Sequence, residues 1–208
     1  MENLHQILFS KKLVIFDLDN TIVSTRKCVM NAYHKALDEV YGVVERSRRF
    51  PDSLLETFIE IPLEKKLREN GVNDEDCKKI RAIYNKYNVE LSATDHPIPQ
   101  TINLIKNLKS HGVKVAVSSI RQRELAEVIL GYSGISDLFN DIMYREDCPN
   151  KQEQLKILMN KHGANAAETA FVGNMPYDRD GAKTLGITYV DVTDIPITIK
   201  QPPPQHLK

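Results

Sequence analysis

What the chain lacks sets the first limits on what it can be. Its three cysteines, Cys28, Cys77 and Cys148, lie far apart and form no CxxC pair, so neither a disulfide framework nor a zinc site is indicated, and a reducing compartment is the simpler setting. Neither charge is in excess. Lysine plus arginine and aspartate plus glutamate each total 28, which removes the overall field that would draw the chain to nucleic acid or an acidic membrane surface. No run approaches the roughly 20 apolar residues needed to cross a bilayer. The short apolar run from Ile7 to Phe9, between Glu2 and Lys11-Lys12, does not make a secretory signal. No internal repeat is visible. The expectation is a cytoplasmic protein with no nucleic-acid and no membrane partner, whose oligomeric state composition leaves open. Its 208 residues suffice for one full domain, or for a domain carrying a smaller second one, with a sizeable core.

The strongest local signal is Leu13-Val14-Ile15-Phe16, followed by Asp17-Leu18-Asp19-Asn20-Thr21. Four consecutive apolar residues fit a strand buried on both faces, as in a parallel sheet. The strand ends on an aspartate, a second follows two residues later, and Asn20 and Thr21 favour a turn. Two carboxylates are thus delivered to the C-terminal end of a strand, where open α/β sheets bind ligands.

From residue 24 to about 95 there is no strand pattern. Val29, Tyr33, Ala36, Leu37, Val40 and Tyr41 recur at helical spacing from Lys27 to Tyr41, where Gly42 stops the pattern. Glu45-Arg46-Ser47-Arg48-Arg49 reads as a charged connector. Ser53 with Glu56 has the spacing of a capping box, Pro62 interrupts or restarts the helix, and Gly71 is a natural stop after Leu67. A further helix is expected from about Asp74 to Leu91, with Cys77, Ile80, Tyr84 and Tyr87 as its stripe, read as core. His96-Pro97-Ile98-Pro99 then marks a boundary, because each proline holds the residue before it extended.

After that boundary strands and helices alternate. Helices are expected over Gln100 to Ser110, Arg121 to Leu130, Lys151 to Lys161 and Asp180 to Leu185; strands over Val113 to Val117, Ile142 to Tyr144, Ala170 to Val172 and Ile187 to Val190. Gln201-Pro202-Pro203-Pro204-Gln205 reads as an extended or disordered tail. The alternation argues for an α/β fold with a parallel sheet, helices on both faces and an inserted all-helical block.

Asp17-Leu18-Asp19-Asn20-Thr21 resembles the first motif, DxDxT, of the haloacid dehalogenase-like hydrolases. Further pieces follow in that family's order. Ser118, ending a hydrophobic strand, is similar to its second motif. Lys151, which Pro149-Asn150 places at a helix start, is similar to its third and is preferred over Lys156 and Lys161 for that reason. Gly173-Asn174-Met175-Pro176-Tyr177-Asp178, with Gly181-Ala182 and Gly186 beyond it, resembles the fourth, roughly GDxxxD, with asparagine where the family carries its first acid.

The resemblance spans residues 12 to about 192 and implies a Rossmann-like core (1–23 and 96–208) with a helical cap (24–95) that closes over small substrates. It implies a Mg²⁺-dependent phosphatase acting on a small phosphorylated metabolite through an aspartyl-phosphate. Asp17 is then the nucleophile and Asp19 the general acid and base. The Ser118 hydroxyl and the Ser119 backbone N–H hold phosphoryl oxygens, and Lys151 offsets the charge of Asp17 and the phosphoryl group. The metal falls to Asp17, the backbone carbonyl of Asp19, Asn174 and Asp178, with Asp180 less favoured by spacing. Asn174 offers a carbonyl but removes one negative charge, so metal affinity should fall. Two alternatives accompany this reading: a phosphomutase using the same nucleophile, and a catalytically impaired binding module. Cap specificity residues are sought among Arg46, Arg48, Arg49 and Glu60 on position and charge alone.

Overall fold

A computed structural model of the chain describes residues 4–59, 63–92 and 94–196. Glu60, Pro62 and the proline-rich stretch at 201–205 lie outside the described residues. Helix α1 (Leu4–Phe9) leads into β1 (Leu13–Phe16), all four of whose residues are fully buried. The short strand β2 (Val23–Ser24) is followed by α2 (Arg26–Tyr41), α3 (Val43–Arg49), α4 (Asp52–Leu55), α5 (Leu63–Glu69) and α6 (Asp74–Ser92). Then come β3 (His96–Pro97), α7 (Pro99–Ser110), β4 (Lys114–Ser118), α8 (Arg123–Tyr132), β5 (Asp141–Met143), α9 (Lys151–Lys161), β6 (Thr169–Gly173), α10 (Pro176–Thr184) and β7 (Thr188–Asp191).

Five strands form one parallel sheet in the order β5-β4-β1-β6-β7. β1 is central, and this explains its continuous apolar run: successive side chains face opposite sides of the sheet, and both sides are covered. Val14 and Phe16 pack with Ile105, Leu108, Ile129 and Leu130 of α7 and α8, while Leu13 and Ile15 pack with Leu155 and Leu158 of α9 and Ala182 of α10. This is the α/β, Rossmann-like architecture. The register sets the site: Phe16 lies opposite Val117 on one side and Val172 on the other. One residue further on, Asp17, Ser118 and Gly173 stand level at the C-terminal edge.

The helices between β2 and β3 enclose a core of their own, in which Tyr33, Ala36 and Leu37 of α2 meet Phe50, Phe58, Leu67, Cys77 and Ile80. β2 and β3 pair antiparallel, Val23 with Pro97 and Ser24 with His96, so the two connections to the sheet are laced together. The strand-free stretch therefore begins after Ser24 and not at it. Among the described residues no helix is long and apolar enough to cross a membrane.

Three expectations need correction. The charged run Glu45 to Arg49 is not a connector but the body of α3; none of its residues is buried, so there is no apolar stripe from which periodicity could be read. The Ser53–Glu56 capping box does not form: Pro51 occupies the cap of α4, no side chain caps it, and a 3₁₀ turn takes over at Glu56. The helix expected from Asp180 starts at Pro176, a residue suited to a first turn because its missing N–H needs no partner. Asp178 and Asp180 are thereby both helical.

Candidate active site

Asp17 follows β1, and Lys151 opens α9 across the sheet edge. Asn150 caps that helix, its side chain accepting the Glu153 N–H at 3.1 Å, and this fixes where Lys151 emerges. Lys151 Nζ donates to Asp17 Oδ1 at 2.5 Å and to the Ser118 carbonyl at 2.5 Å, and lies 3.8 Å from Asp178 Oδ1. Asp17, Lys151 and Asp178 are all buried. Lys156 and Lys161 are exposed and pair with Glu153 and Asp141 instead.

Burial pushes the Asp17 carboxyl well above the ordinary carboxylate range; Lys151 opposes the shift, and the charges of Asp178 and Asp19 add to it. Burial raises Asp178 as well, again against Lys151. One lysine is thus shared between two desolvated carboxylates, which favours a further cation in the cluster.

Asp178 Oδ2 accepts the Met175 N–H at 3.2 Å, while its Oδ1 is buried and makes no hydrogen bond. Gly173 allows this placement: a Cβ there would sit 2.6 Å from Asp178 Oδ2 and 2.9 Å from its Cγ. Asn174 Oδ1 accepts the Thr21 hydroxyl at 3.2 Å, tying the first acidic loop to the loop after β6. Among the described residues no group of three or more His, Cys, Asp or Glu is arranged to hold a metal ion. The donors that converge on Lys151 are the carboxylates of Asp17 and Asp178, oxygen ligands of the kind a hard cation takes, while the Asn174 carbonyl oxygen faces Thr21. The unsatisfied, buried Asp178 Oδ1 leaves a position that a divalent cation could take, in a cluster with one negative charge fewer than a third acid would give. Asp180 is exposed and is no substitute.

The structure differs from expectation at both serines. The Ser118 hydroxyl donates to Gln154 Oε1 at 2.5 Å, and the Ser119 N–H donates to the Met143 carbonyl at 2.9 Å. Both donors assigned to phosphoryl oxygens are committed within the sheet edge. Ser119 Oγ accepts the Arg121 N–H at 3.0 Å, which leaves its own hydroxyl proton to be directed elsewhere. Gln154, fully buried one turn beyond Lys151, also donates to the carbonyls of Ser119, Tyr144 and Cys148. Its position at i+3 from Lys151 is the signal that could have found it.

Asp19 is engaged by a residue that sequence reasoning missed. Arg121, in the loop between β4 and α8, meets Asp19 with Nη2 2.7 Å from Oδ1 and Nε 3.2 Å from Oδ2. Beside this pair lies a cavity of about 410 Å³ bounded by the sheet edge and the helical block. Asp19, Asn20 and Arg121 line it from below; Tyr33, Arg81, Tyr84 and Asn88 from above. Tyr33 and Tyr84 stack with ring centroids 4.8 Å apart, so Tyr84 of the expected stripe is cavity wall as well as packed against the core, whereas Tyr87 lies outside the core and donates to Glu39. The arginines singled out by position are elsewhere: Arg46 pairs with Asp38 and Asp52, and Arg49 lies over the Tyr41 and Phe50 rings. Neither they nor Arg48 border the cavity.

Comparison with known proteins follows the same lines. A family model described as haloacid dehalogenase-like hydrolase matches residues 14–192. The "Probable phosphatase IndB" of Dickeya dadantii is 28% identical over 193 residues, covering 88% of this chain and 81% of that protein. The "Pyrophosphatase PpaX" of Halalkalibacterium halodurans is 27% identical over 182 residues, covering 84% and 80%. Among solved structures, a haloacid dehalogenase-like hydrolase of Streptococcus pneumoniae superposes with a TM-score of 0.74 at 22% identity, covering 86% of this chain and 83% of that one. That last likeness is one of fold.

Proposed function

The chain belongs to the haloacid dehalogenase-like hydrolases, and from that premise we propose that it is a Mg²⁺-dependent phosphatase hydrolysing a small phosphate monoester through an aspartyl-phosphate. The observation that carries the reading is the buried triangle in which Lys151 is shared by Asp17 and Asp178 while Asp178 Oδ1 has no hydrogen-bond partner. The names of the two relatives, a probable phosphatase and a pyrophosphatase, support hydrolytic release of a phosphoryl group.

In this reading an oxygen of Asp17 attacks phosphorus and the ester P–O bond breaks. The leaving oxygen takes its proton from Asp19. Water then attacks the phosphorus of the aspartyl-phosphate as Asp19 takes a proton back, releasing inorganic phosphate and restoring Asp17. Lys151 offsets the negative charge that must gather when an anion attacks an anion. Bound Mg²⁺, held by Asp17, the Asp19 carbonyl, Asn174 and Asp178, would supply further charge compensation. Ser118, whose proton goes to Gln154, serves here by shaping the edge, and the Ser119 hydroxyl is the better donor to a phosphoryl oxygen. The helical block from 24 to 95 acts as the cap. A cytoplasmic setting belongs to the same reading, supported by three free thiols.

The test is phosphate release from an aryl phosphate across a Mg²⁺ titration, with Asp17→Asn alongside. Metal-dependent release that vanishes in the variant is expected; release retained by Asp17→Asn removes the covalent mechanism. Asn174 favours a second reading, the impaired binding module. That reading gains if a folded wild-type sample releases no phosphate at any Mg²⁺ concentration.

A further inference from the structure

Asp95 is a buried acid for which phosphoryl transfer by Asp17 has no use. It is 8% exposed, it does not line the cavity, and its Oδ2 is buried without a hydrogen-bond partner. A second unmet group belongs to Arg121. Asp19 takes one edge of that guanidinium, the fork formed by Nε and Nη2, while Nη1 is buried and makes no hydrogen bond. Buried polar atoms left in this way are uncommon, and each calls for a reason.

The chain brings the two residues to one place. Asp95 immediately precedes β3, where His96 pairs with Ser24 and Pro97 with Val23, and Val23 bridges back to Asp19. The segment carrying Asp95 therefore runs beside the turn carrying Asp19. The helical block closes over it: the Asp95 N–H donates to the Ser92 carbonyl at 3.1 Å, and the Cys28 thiol of α2 meets the Asp95 carboxyl. Burial pushes that carboxyl up to about 6 against the pull of Arg121, which acts on it more strongly than Asp19, Cys28 or His96. One guanidinium thus serves two carboxylates, Asp19 through a direct fork and Asp95 through a low-dielectric interior. A cation shared in this way holds each anion less firmly than it would hold one alone.

The sharing matters because both oxygens of Asp19 face Arg121, and Asp19 has to leave that fork to reach a leaving oxygen. We propose that Asp95 is a positioning residue for phosphoryl transfer, which by drawing on Arg121 loosens the fork on Asp19 and lets that carboxyl turn to the leaving oxygen. This rests on the phosphatase reading and adds a residue to it. Asp95 acts through Arg121 and touches neither the phosphoryl group nor the leaving alcohol.

The experiment measures kcat/KM for p-nitrophenyl phosphate and phenethyl phosphate in wild type, Asp95→Asn and Asp95→Glu, each with and without Arg121→Met. This ratio reports the attack by Asp17, and of the two esters only the alkyl one needs a proton for its leaving oxygen. Asp95→Asn removes the charge and keeps the shape, so it is expected to lose about tenfold on the phenethyl ester and at most about twofold on the nitrophenyl ester. Asp95→Glu, which keeps the charge, retains most of the rate on both. With Arg121→Met the fork is gone, and Asp95→Asn makes no further difference to either ester. A packing defect would lower both esters alike and persist beside Arg121→Met. Equal losses on the two esters, no loss on the phenethyl ester, or a loss that Arg121→Met leaves in place therefore overturns the proposal while the phosphatase stands. Thermal melting checks that each variant is folded, and Asp95→Ser repeats the comparison if Asp95→Asn melts below the assay temperature. No phosphate release from either ester by folded wild type overturns both.

Discussion

The sheet edge and the helical block use polar residues in opposite ways. At the edge, Asp17, Lys151, Asp178, Ser118 and Gln154 are buried, and Asp17, Lys151, Ser118 and Gln154 are held by hydrogen bonds between different elements of the sheet edge. In the block, charged residues sit mostly on the outside, pair at the surface and leave the interior to Tyr33, Phe50 and Phe58. The difference teaches where chemistry is affordable. A desolvated charge persists only where register and close packing over-determine its position, and the aligned ends of β1, β4 and β6 do so. The block needs only shape and apolar area to hold its own core together.

Lys151→Met breaks the comparison most severely. It leaves two carboxylates buried without their cation, so a loss of about a thousandfold in kcat and about 3–5 kcal/mol of stability is expected, read from steady-state kinetics and denaturant unfolding. Gly173→Ala comes next. The added Cβ collides with Asp178, and metal binding measured by calorimetry should fall together with about 1–3 kcal/mol of stability. Asn174→Asp sharpens the comparison instead, returning a charge to the edge: Mg²⁺ affinity should rise about tenfold, roughly 1.4 kcal/mol, and no change would assign the metal to Asp178 without Asn174.

A pH series probes the same burial. The Asp17 carboxyl is raised on folding, from 3.8 to about 7, so the folded state holds that proton more tightly than the unfolded chain. Its stabilising contribution is complete below the unfolded value and is lost as pH rises through the folded one. With chelator present, wild type should therefore lose melting temperature relative to Asp17→Asn across that window, and added Mg²⁺ should close the gap. The smallest effect belongs to the block's surface. Arg46→Ala removes the pair with Asp38, should cost about 1 kcal/mol or less, and should leave KM unchanged, since Arg46 does not reach the cavity.

Asp17 and Lys151 were legible because each sits beside a local signal: the end of an apolar run, and a Pro-Asn pair that starts a helix. Arg121 was not. It lies in an aperiodic loop, and its meaning comes from Asp19, 102 positions away. The arginines of α3 were misjudged for a related reason: charge and position say nothing about which way a side chain points, and Arg49 turns onto Tyr41. The helix itself was missed because an element with no buried face carries no hydrophobic period.

The sequence by itself determined the α/β alternation, the helical block, the order of the acidic, serine, lysine and glycine-asparagine segments, and the family they resemble, because these depend on local periodicity and on residue chemistry. Only the tertiary structure decided that the Ser118 hydroxyl goes to Gln154, that Arg121 engages Asp19, and that Asp178 Oδ1 is left without a hydrogen-bond partner. Those outcomes turn on a few ångströms across strands distant in sequence, and strand register and packing, which no local pattern encodes, set them.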